Sequence, residues 1–416
     1  MRPPCVLLLE AAGPESGAIA ATAAASGYQV HAVTDPTTHA TYSPDLQRLL
    51  TGCLLTDFSR PETALKDIVG YARRIGADAV LTTNEYLTEL LAQACAALGL
   101  PGNDPARAAA ARNKADMAEA FARHGVTAPR TRIVDGADEL WRWCAVGQIT
   151  FPCVIKPADG AGSAGVTVVI GPEQLEPGWH AARAASVMYG LPRDERVLVQ
   201  EYVDGPEFSI ESVTQHGVTT HLCITRKHTT GGIHRVELGH TLPARLPAAT
   251  ERALFEEADR AIAAVGIRNG ATHTELVLRA DGRCTVLEIG ARLGAGHIGV
   301  LIQHALGINP WRTLWDIALG RSTAATPARG GYATVRFLTT RHVGRLAAVT
   351  GLPTVSTTIP AVQVRAVDGA PVGPVTSNRG RLGHVIVTGH DSRAVDDQAD
   401  RILRQITITV VPGSQS

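Results

Sequence analysis

Residues 151–171 read FPCVIKPADGAGSAGVTVVIG: an apolar stretch, a lysine, a glycine-rich turn and a second apolar stretch. Val154 and Ile155 lead into Lys156, and residues 166–170 are all β-branched. Such runs on either side of a glycine-rich turn are typical of paired strands. The stretch therefore predicts a β-hairpin whose tip is rich in glycine.

The tip of this hairpin suits a ligand that carries phosphate. Gly160, Gly162 and Gly165 have no Cβ, so the backbone there can approach a ligand closely and point N–H groups at phosphate oxygens. Lys156 supplies a positive charge for the same phosphates. A plain structural loop explains the glycines equally well, and both interpretations stay open at this point. A Walker loop is excluded, because that motif places its lysine after the glycines.

Length and composition narrow the class of protein. A chain of 416 residues is too long for one core and predicts two or more domains. Lys+Arg and Asp+Glu both number 39, so no charge excess argues for nucleic acid or a membrane surface. The seven cysteines are scattered, which argues against a zinc site and a disulfide framework. No apolar stretch approaches the length of a membrane span, and a cytoplasmic protein is expected.

Lysine is scarce in this chain. Only four of the 39 basic residues are lysines, namely Lys66, Lys114, Lys156 and Lys227. Where arginine dominates so strongly, a lysine more often marks a site that cannot use a guanidinium group. This favours functional roles for Lys114 and Lys156. For Lys114, a solvated lysine on an amphipathic helix is the alternative.

Residues 5–100 alternate between strand and helix patterns. Strands are expected at 6–9, 28–33, 53–56 and 78–82, and helices at 18–26, 61–75 and 85–98. This rhythm predicts a small parallel sheet with a ligand crevice at the ends of its strands. Glu85 follows a strand end directly, so it either touches a substrate or caps the next helix. Further helices are expected at 105–124, 172–189 and 301–319.

A second hairpin, at residues 272–289, brings two acidic residues together. Its turn contains Asp281 and Gly282, the strongest short hairpin signal. With a two-residue loop, Glu275 faces Glu288 directly. The same register places four apolar side chains on the opposite face: Leu276, Leu278, Leu287 and Ile289.

This pairing of Glu275 with Glu288 predicts a metal site. Two carboxylates at about 5 Å repel each other by roughly 3 kcal/mol at an effective dielectric of about 20. A divalent cation between them removes the repulsion, and hard oxygen ligands select magnesium or manganese. A longer turn that splays the pair apart is the alternative. His273 shares this face, and we expect it to be a hydrogen-bonding neighbour rather than a ligand.

The order of these features resembles the ATP-grasp superfamily. A lysine-bearing helix, a lysine hairpin with a glycine loop, an acidic strand end and paired glutamates followed by Arg292 occur in that order, up to about residue 320. The resemblance implies a multidomain protein of mixed α/β and α+β class with an ATP-grasp fold. Its expected parts are a Rossmann-like parallel-sheet domain (1–104), a linking helix (105–126), a lid subdomain (127–203), a catalytic subdomain (204–325) and a small C-terminal α+β domain (326–416). Residues 340–380 carry no recognisable motif.

The resemblance also assigns site residues. The implied ligands of ATP are Lys114, Lys156, Gly160, Gly162, Ser163, Gly165, Glu201, Tyr202, Val203 and Glu207. Glu275 and Glu288 match the ligands of Mg²⁺ or Mn²⁺, and Lys156 and Arg292 the catalytic residues. The implied substrate contacts are Glu85, His273, Arg292 and Gly296. Many members carry asparagine where this chain has Gly290, so one ligand of a second ion is in doubt.

Three softer motifs are similar to the L-amino-acid ligase branch: His273-Thr-Glu275, Glu237-Leu-Gly-His240 with Pro243, and Arg336-Phe-Leu. This similarity implies an ATP-dependent enzyme that joins a small carboxylate to an amine through an acyl phosphate, and it is compatible with a homodimer. An ATP-grasp carboxylase or purine-pathway ligase that uses bicarbonate or formate is the first alternative. A nucleotide-binding regulator without turnover is the second.

Overall fold

The computed structural model describes residues 2–323 and 325–412, which form sheets of four, eight, three and four strands. Ala324, inside the expected catalytic subdomain, lies outside the described residues, as do residue 1 and residues 413–416 at the ends of the expected first and last domains. Within the described ranges, no helix combines the length and the apolar character needed to cross a membrane.

The N-terminal region forms the parallel sheet that the sequence predicts. Its strands are β1 (Cys5–Leu9), β2 (Gln29–Thr34), β3 (Gly52–Leu55) and β4 (Ala79–Leu81), and its helices are α1 (Pro14–Ala25), α2 (Pro36–His39), α3 (Pro44–Leu49), α4 (Pro61–Ile75) and α5 (Thr88–Leu98). The strand order is β3-β2-β1-β4, with every pair parallel. The chain adds β2 and β3 on one side of β1 and then crosses to the other side to add β4. The crevice at the carboxyl ends of β1 and β4, where the strand order switches, is therefore the expected ligand position. Glu85 begins a short 3-10 helix in that crevice, ahead of α5.

The helix that carries Lys114 is shorter than predicted. A 3-10 turn at Ala108–Ala111 precedes α6 (Lys114–His124), so the expectation of a regular helix from residue 105 is wrong. The side chain of Asn113 accepts hydrogen bonds from the backbone N–H groups of Ala115 and Asp116, which is the contact that starts a helix. Lys114 therefore lies in the first turn of α6.

The predicted glycine hairpin belongs to a four-stranded antiparallel sheet. Its elements are β5 (Thr131–Val134), α7 (Ala137–Ala145), β6 (Cys153–Pro157), β7 (Thr167–Val169), α8 (Leu175–Ala184) and β8 (Val197–Glu201). The strand order is β5-β8-β6-β7, and α8 packs on β6 and β7 through Leu175 and Trp179. The helix expected at 172–189 begins as a 3-10 turn and ends at Ala184, five residues early.

A third region carries the acidic hairpin. Its elements are β9 (Glu207–Gln215), β10 (Val218–Thr229), β11 (Glu237–Leu242), α9 (Ala248–Ala264), β12 (Gly270–Leu278), β13 (Cys284–Gly290), α10 (Ile298–Leu306) and α11 (Pro310–Ala318). The single helix expected at 301–319 is two helices, because Gly307 adopts a positive φ of 70° at the end of α10 and Pro310 starts α11.

The last region extends the large sheet. It contains β14 (Tyr332–Leu338), β15 (Gly344–Thr350), β16 (Ala361–Val364), β17 (Pro371–Val372), β18 (Gly383–Gly389), α12 (Ser392–Gln405) and β19 (Thr407–Val411). The eight strands run β13-β12-β9-β10-β11-β14-β18-β16, so hydrogen bonding between β11 and β14 crosses the boundary expected at residue 325. The division into five parts stays a prediction.

Candidate active site

A cavity of about 430 Å³ lies where the glycine hairpin, α6 and the acidic hairpin meet. Every residue that the sequence assigns to the site lines this cavity, with the exception of Gly165. These residues are Glu85, Lys114, Lys156, Gly160, Gly162, Ser163, Glu201, Tyr202, Val203, Glu207, His273, Glu275, Glu288, Arg292 and Gly296. Residues as far apart in the chain as Glu85 and Gly296 therefore converge on one space.

Gly165 has a packing role instead. Its φ is +73°, and a Cβ at this position would lie 2.8 Å from the carbonyl oxygen of Ala181 and 3.0 Å from Cβ of Ala185. The glycine thus lets the hairpin lie against α8, and its expected contact with phosphate stays a prediction, since Gly165 does not line the cavity. Gly160 meets Pro157 in the same way, at 2.6 Å from the position of a Cβ, but it still borders the cavity.

Lys114 and Lys156, which both line the cavity, differ in their partners. Nζ of Lys114 lies 2.9 Å from a carboxylate oxygen of Glu288 and donates a hydrogen bond of 2.6 Å to the carbonyl of Gly160. Burial lowers the pKa of Lys114, but the carboxylates of Glu288 and Glu85 outweigh burial and raise it above its usual value. Lys114 therefore connects the glycine loop to the acidic hairpin.

Lys156 has no such partner. It is 7% exposed, and among the described residues no carboxylate oxygen lies within 4 Å of its Nζ. Burial lowers the pKa of Lys156 to about 8, with partial compensation from Glu288 at longer range. A buried ammonium group that faces a cavity without a counter-ion favours an anionic ligand there.

The residues after β8 line the far end of the cavity. The carboxylate of Glu201 is paired with Arg130 at 3.2 Å and with Arg279 at 3.1 Å, and the carboxylate of Glu207 is paired with Arg235. The hydroxyl of Ser163 donates a hydrogen bond of 3.1 Å to the carbonyl of Arg235. These contacts hold the tip of the glycine loop and the segment after β8 around the same space.

The acidic hairpin has the predicted pair, but the turn differs from the expectation. Glu275 is opposite Glu288, whereas Leu276 is opposite Val286, because a β-bulge lies between the two pairs. The loop is one residue longer than two, and the bulge restores the register by adding a residue on β13. Leu287 is the added residue and lines the cavity, so its expected place on the apolar face is wrong.

Lys227, which the sequence patterns did not single out, neutralises Glu275, one of the two paired glutamates. Its buried Nζ lies 2.7 Å from Glu275 and 2.9 Å from Glu237. Burial lowers the pKa of Lys227, but the two carboxylates raise it well above its usual range. Lys114 and Lys227 thus each pair with one glutamate, and the uncompensated repulsion expected between Glu275 and Glu288 is absent. The scarcity of lysine is the sequence signal that could have identified Lys227.

His273 is the hydrogen-bonding neighbour that the sequence predicts. Its Nδ1 lies 3.0 Å from Glu211, and its Nε2 lies 3.2 Å from Glu275. Burial lowers the pKa of His273, and Glu211 and Glu275 more than offset this effect, so the pKa rises to about 10. A protonated His273 then donates to both carboxylates and orients Glu275.

Arg292 and Glu85 form the pair that closes the crevice side of the site. Nε of Arg292 donates a hydrogen bond of 2.8 Å to Glu85, and Nη2 contacts the same oxygen. Burial lowers the pKa of Arg292, but Glu85 raises it further than burial lowers it. Gly296 follows on the same loop, and a Cβ there would lie only 2.6 Å from His240.

Two residues of the C-terminal region complete the lining, and sequence reasoning missed both. Arg381 donates hydrogen bonds to Glu237 at 2.8 Å and to Asn378 at 2.6 Å, and its guanidinium lies 3.8 Å from the ring centre of Phe337. The backbone N–H of Asn378 donates to the carbonyl of Gly162 at 3.3 Å. No local motif marks these residues, since only the folded chain brings them to the glycine loop.

The acidic pair fits a divalent cation that arrives with a phosphorylated ligand. In the described ranges, no group of three or more His, Cys, Asp or Glu side chains could hold a metal by itself. Magnesium, however, is usually bound by one or two carboxylates together with phosphate oxygens and water. Glu275 and Glu288 supply two such carboxylates in the cavity that also contains Lys156.

Comparison with known proteins gives three matching family models. Residues 149–300 match the ATP-grasp domain, residues 20–102 the ATP-grasp N-terminal domain, and residues 336–411 the L-amino acid ligase C-terminal domain 2. Alanine–anticapsin ligase of Bacillus subtilis is 28% identical over 278 residues, which are 63% of this chain. The match spans 58% of the length of that relative.

Solved structures show the same fold over nearly the whole chain. The L-amino acid ligase from Bacillus licheniformis has a TM-score of 0.83 at 22% identity, covering 99% of this chain and 100% of that one. The biotin carboxylase domain of 2-oxoglutarate carboxylase from Hydrogenobacter thermophilus, a complex with MgADP and bicarbonate, has a TM-score of 0.71 at 18% identity, covering 98% and 91%. The matched models and this fold agree with the convergence of the lysines, the glycine loop and the paired glutamates on one cavity. The chain therefore has the ATP-grasp fold and contains an ATP-grasp domain at residues 149–300, and its C-terminal region is similar to that of the L-amino acid ligases.

Proposed function

We propose that this protein is an ATP-dependent ligase that joins a carboxylate to an amine of amino-acid-like substrates and releases ADP and phosphate. The observation that carries the proposal is Lys156, a buried and unpaired cation beside the glycine loop and the paired glutamates. That set of groups suits the terminal phosphates of ATP. The names of the matched relative and of the C-terminal family model support an amide or peptide product.

In this proposal, the cavity holds ATP along its length. The adenine lies against the segment of Glu201, Tyr202 and Val203, and because the Glu201 carboxylate is already paired with two arginines, the backbone makes the contact. Glu207 lies next along the chain for the ribose. Lys114, Lys156 and the glycine loop surround the phosphates.

The chemical step is transfer of the terminal phosphoryl group to the substrate carboxylate, which gives an acyl phosphate. Lys156 and Arg292 stabilise the negative charge on the transferring group, an electrostatic contribution of the kind that dominates such reactions. Mg²⁺ or Mn²⁺, held by Glu275 and Glu288, would neutralise further phosphate charge when bound. The amine of the second substrate then displaces phosphate from the acyl carbon and forms the amide bond.

Glu85 and His273 serve as positioning residues in this scheme. Glu85 holds the guanidinium of Arg292 in the strand-end crevice, and His273 holds the carboxylate of Glu275. Neither the phosphoryl transfer nor the displacement of phosphate by the amine requires a nucleophile from the protein.

A screen of paired amino acids tests the proposal. The purified protein is incubated with ATP, Mg²⁺ and pairs of amino acids, and phosphate, ADP, AMP and peptide are measured. We expect phosphate and ADP in equal amounts with the peptide. AMP and pyrophosphate formed with the peptide would contradict the acyl-phosphate route.

The same screen separates the alternatives. Phosphate release that depends on bicarbonate or formate, and not on amino acids, would replace the proposal with a carboxylase or purine-pathway type of ligase. Tight binding of ATP without ADP formation for any pair would favour a nucleotide-binding regulator.

A further inference from the structure

A second cavity lies outside the glycine loop, between its tip and residues 365–382 of the C-terminal region. Its volume is about 740 Å³, which is within the usual range for small-molecule sites. Five residues line both this cavity and the candidate active site, namely Ala161, Gly162, Ala164, Asn378 and Arg381. The inner cavity of the candidate active site and this outer cavity are therefore neighbours, and these five residues form the rim between them.

Charge distinguishes the outer cavity. Arg365, Arg379 and Arg381 line it, and no acidic residue does so among the described residues. Arg381 is paired with Glu237, but within the described ranges neither Arg365 nor Arg379 has a carboxylate oxygen within 4 Å. Two guanidinium groups without counter-ions on one cavity wall favour an anion, since guanidinium matches carboxylate and phosphate in geometry.

Hydrogen bonds and stacking hold the side chains of this rim in place. Arg381 is held by Glu237 and Asn378 and stacks on Phe337, while Asn378 bonds to the backbone of Gly162. His297 and His384 lie behind Arg365 with their rings 3.9 Å apart, and both are neutral near pH 7 because their pKa values are lowered by burial and by nearby positive charge. These two histidines therefore add no charge beside Arg365, and among the described residues no carboxylate oxygen lies within 4 Å of its guanidinium group.

We infer that the outer cavity binds the anionic side chain of one of the two ligase substrates, with Arg365 and Arg379 as its specificity-determining residues. This inference rests on the proposed function, because it names the class of substrate: an amino acid with a carboxylate or phosphate side chain. The two kinds of anion share the same chemistry at an arginine pair. The reacting group of that substrate lies in the inner cavity, and its side chain passes Asn378 and Arg381.

Calorimetric titration in the presence of MgADP tests the site directly. Glutamate and O-phosphoserine are the anionic probes, and glutamine and serine are their neutral counterparts. We expect wild type to bind at least one anionic probe ten-fold or more tightly than its neutral counterpart. The anionic probe that binds more tightly shows whether the site prefers a carboxylate or a phosphate side chain.

The double variant Arg365→Gln/Arg379→Gln assigns this preference to the outer cavity. Both side chains are exposed, so the fold should be retained, and an unchanged melting temperature and ATP affinity verify this. The variant should lose the preference for the anionic probe. Arg401→Gln is the matched control, since Arg401 is an exposed arginine of α12 that lies outside both cavities. Equal affinities in wild type, or a preference that survives in the double variant, overturn the inference.

Turnover measurements separate this inference from the proposed function. If peptide forms and kcat/KM for the anionic amino acid falls at least ten-fold in the double variant but not in Arg401→Gln, both stand. If no pair of substrates reacts but the binding preference depends on Arg365 and Arg379, the ligase proposal fails and the anion site remains. If peptide forms with equal kcat/KM in wild type and the double variant, the anion site fails and the ligase proposal remains.

Discussion

At the scale of single residues, two buried lysines serve different purposes in this protein. Lys227 is buried between Glu237 and Glu275, so its charge is used within the fold. Lys156 is equally buried, but the described residues place no carboxylate within 4 Å of it. An unpaired buried ammonium destabilises the unliganded protein, and it gains a counter-ion only when an anion enters the cavity. Lys156 is therefore a residue that binding, rather than folding, explains.

The variant Lys156→Arg tests this interpretation. Arginine keeps the charge, but its broad planar group does not fit beside Gly160 and the loop in the space of an ammonium group. We expect kcat to fall by about 100-fold or more, as for other losses of one charge-stabilising donor, with an unchanged melting temperature. Lys66→Arg, on an exposed face of α4, is the control. Near-normal turnover of Lys156→Arg would return Lys156 to a structural role.

The histidine pair makes stability depend on pH. Burial lowers the pKa of His384 to about 4, with a smaller effect of Arg365. Burial lowers that of His297 to about 3, with smaller effects of His384, Arg365, His240 and Arg381. Both side chains stay neutral in the folded protein, whereas the unfolded chain binds protons below about pH 6.5. The contribution of the two neutral histidines to the free energy of unfolding should therefore be fully present above about pH 6.5 and decrease as the pH falls towards 4.

The variant His384→Gln measures this dependence. Glutamine does not titrate, so the loss of stability between pH 7 and pH 5 should be smaller by about 1–2 kcal/mol than in wild type. Urea unfolding at several pH values gives the comparison, and His390→Gln, an exposed histidine, is the control. An identical pH dependence in wild type and His384→Gln would show that His384 binds its proton over the same pH range in the folded protein as in the unfolded chain.

At the scale of elements, the acidic hairpin shows how far the sequence could predict the site. The opposition of Glu275 and Glu288 was predicted, because the side-chain period of two and a short turn fix the pairing. The three-residue loop and the bulge at Leu287 were not predicted. The longer loop shifts the register by one residue and the bulge shifts it back, so together they leave Glu275 opposite Glu288. Lys227 could not be placed either, because its contact with Glu275 is made from β10 to β12, across the intervening strand β9.

The variant Glu288→Gln tests the new partners of this hairpin. Repulsion alone would predict a metal-free protein that melts at the same temperature or higher. The ion pair with Lys114, at 2.9 Å, predicts the opposite, because the variant leaves a buried lysine without its carboxylate. We expect a loss of about 1–3 kcal/mol in unfolding free energy without metal, together with a collapse of ATP-dependent turnover.

The control for Glu288→Gln is Glu256→Gln on the exposed face of α9, which should change neither the free energy of unfolding nor the turnover. Chemical unfolding in the presence of a chelator gives the stability, and magnesium titrations give the activity. A metal-free Glu288→Gln protein that is more stable than wild type would show that repulsion, and not the pair with Lys114, dominates at this position.

At the scale of the whole molecule, local patterns predicted the order of elements better than their assembly. The four parallel strands and the boundaries of α4 follow from alternation, glycine and proline signals within one stretch of chain. The joining of β11 to β14 connects residues about 90 positions apart, and no local pattern reports it. For the same reason, Asn378 and Arg381 entered the site only through the structure.

One such long-range contact attaches the lid to the N-terminal region. Tyr189 lies between α8 and β8, yet its hydroxyl accepts a hydrogen bond of 2.6 Å from Asn84, which follows β4. Its ring packs edge-on against Phe58 at 5.5 Å between centres. Besides the contacts of the glycine loop with Lys114, Arg235 and Asn378, the sheet of the glycine hairpin is therefore attached to the N-terminal region, and we expect Tyr189 to limit how far the loop moves from the cavity.

Loss of the Tyr189 side chain should release this attachment. In Tyr189→Ala we expect hydrogen exchange in β6 and α8 to become several-fold faster and KM for ATP to rise several-fold, because the closed position of the loop is less populated. Tyr189→Phe keeps the ring against Phe58 and removes only the hydrogen bond, so its effects should be smaller. Trp141→Ala removes an exposed aromatic side chain of α7 and is the matched control for loss of ring area in the same region. If exchange in β6 and α8 is the same in Tyr189→Ala as in Trp141→Ala, the contacts of Tyr189 with Asn84 and Phe58 do not restrain the lid.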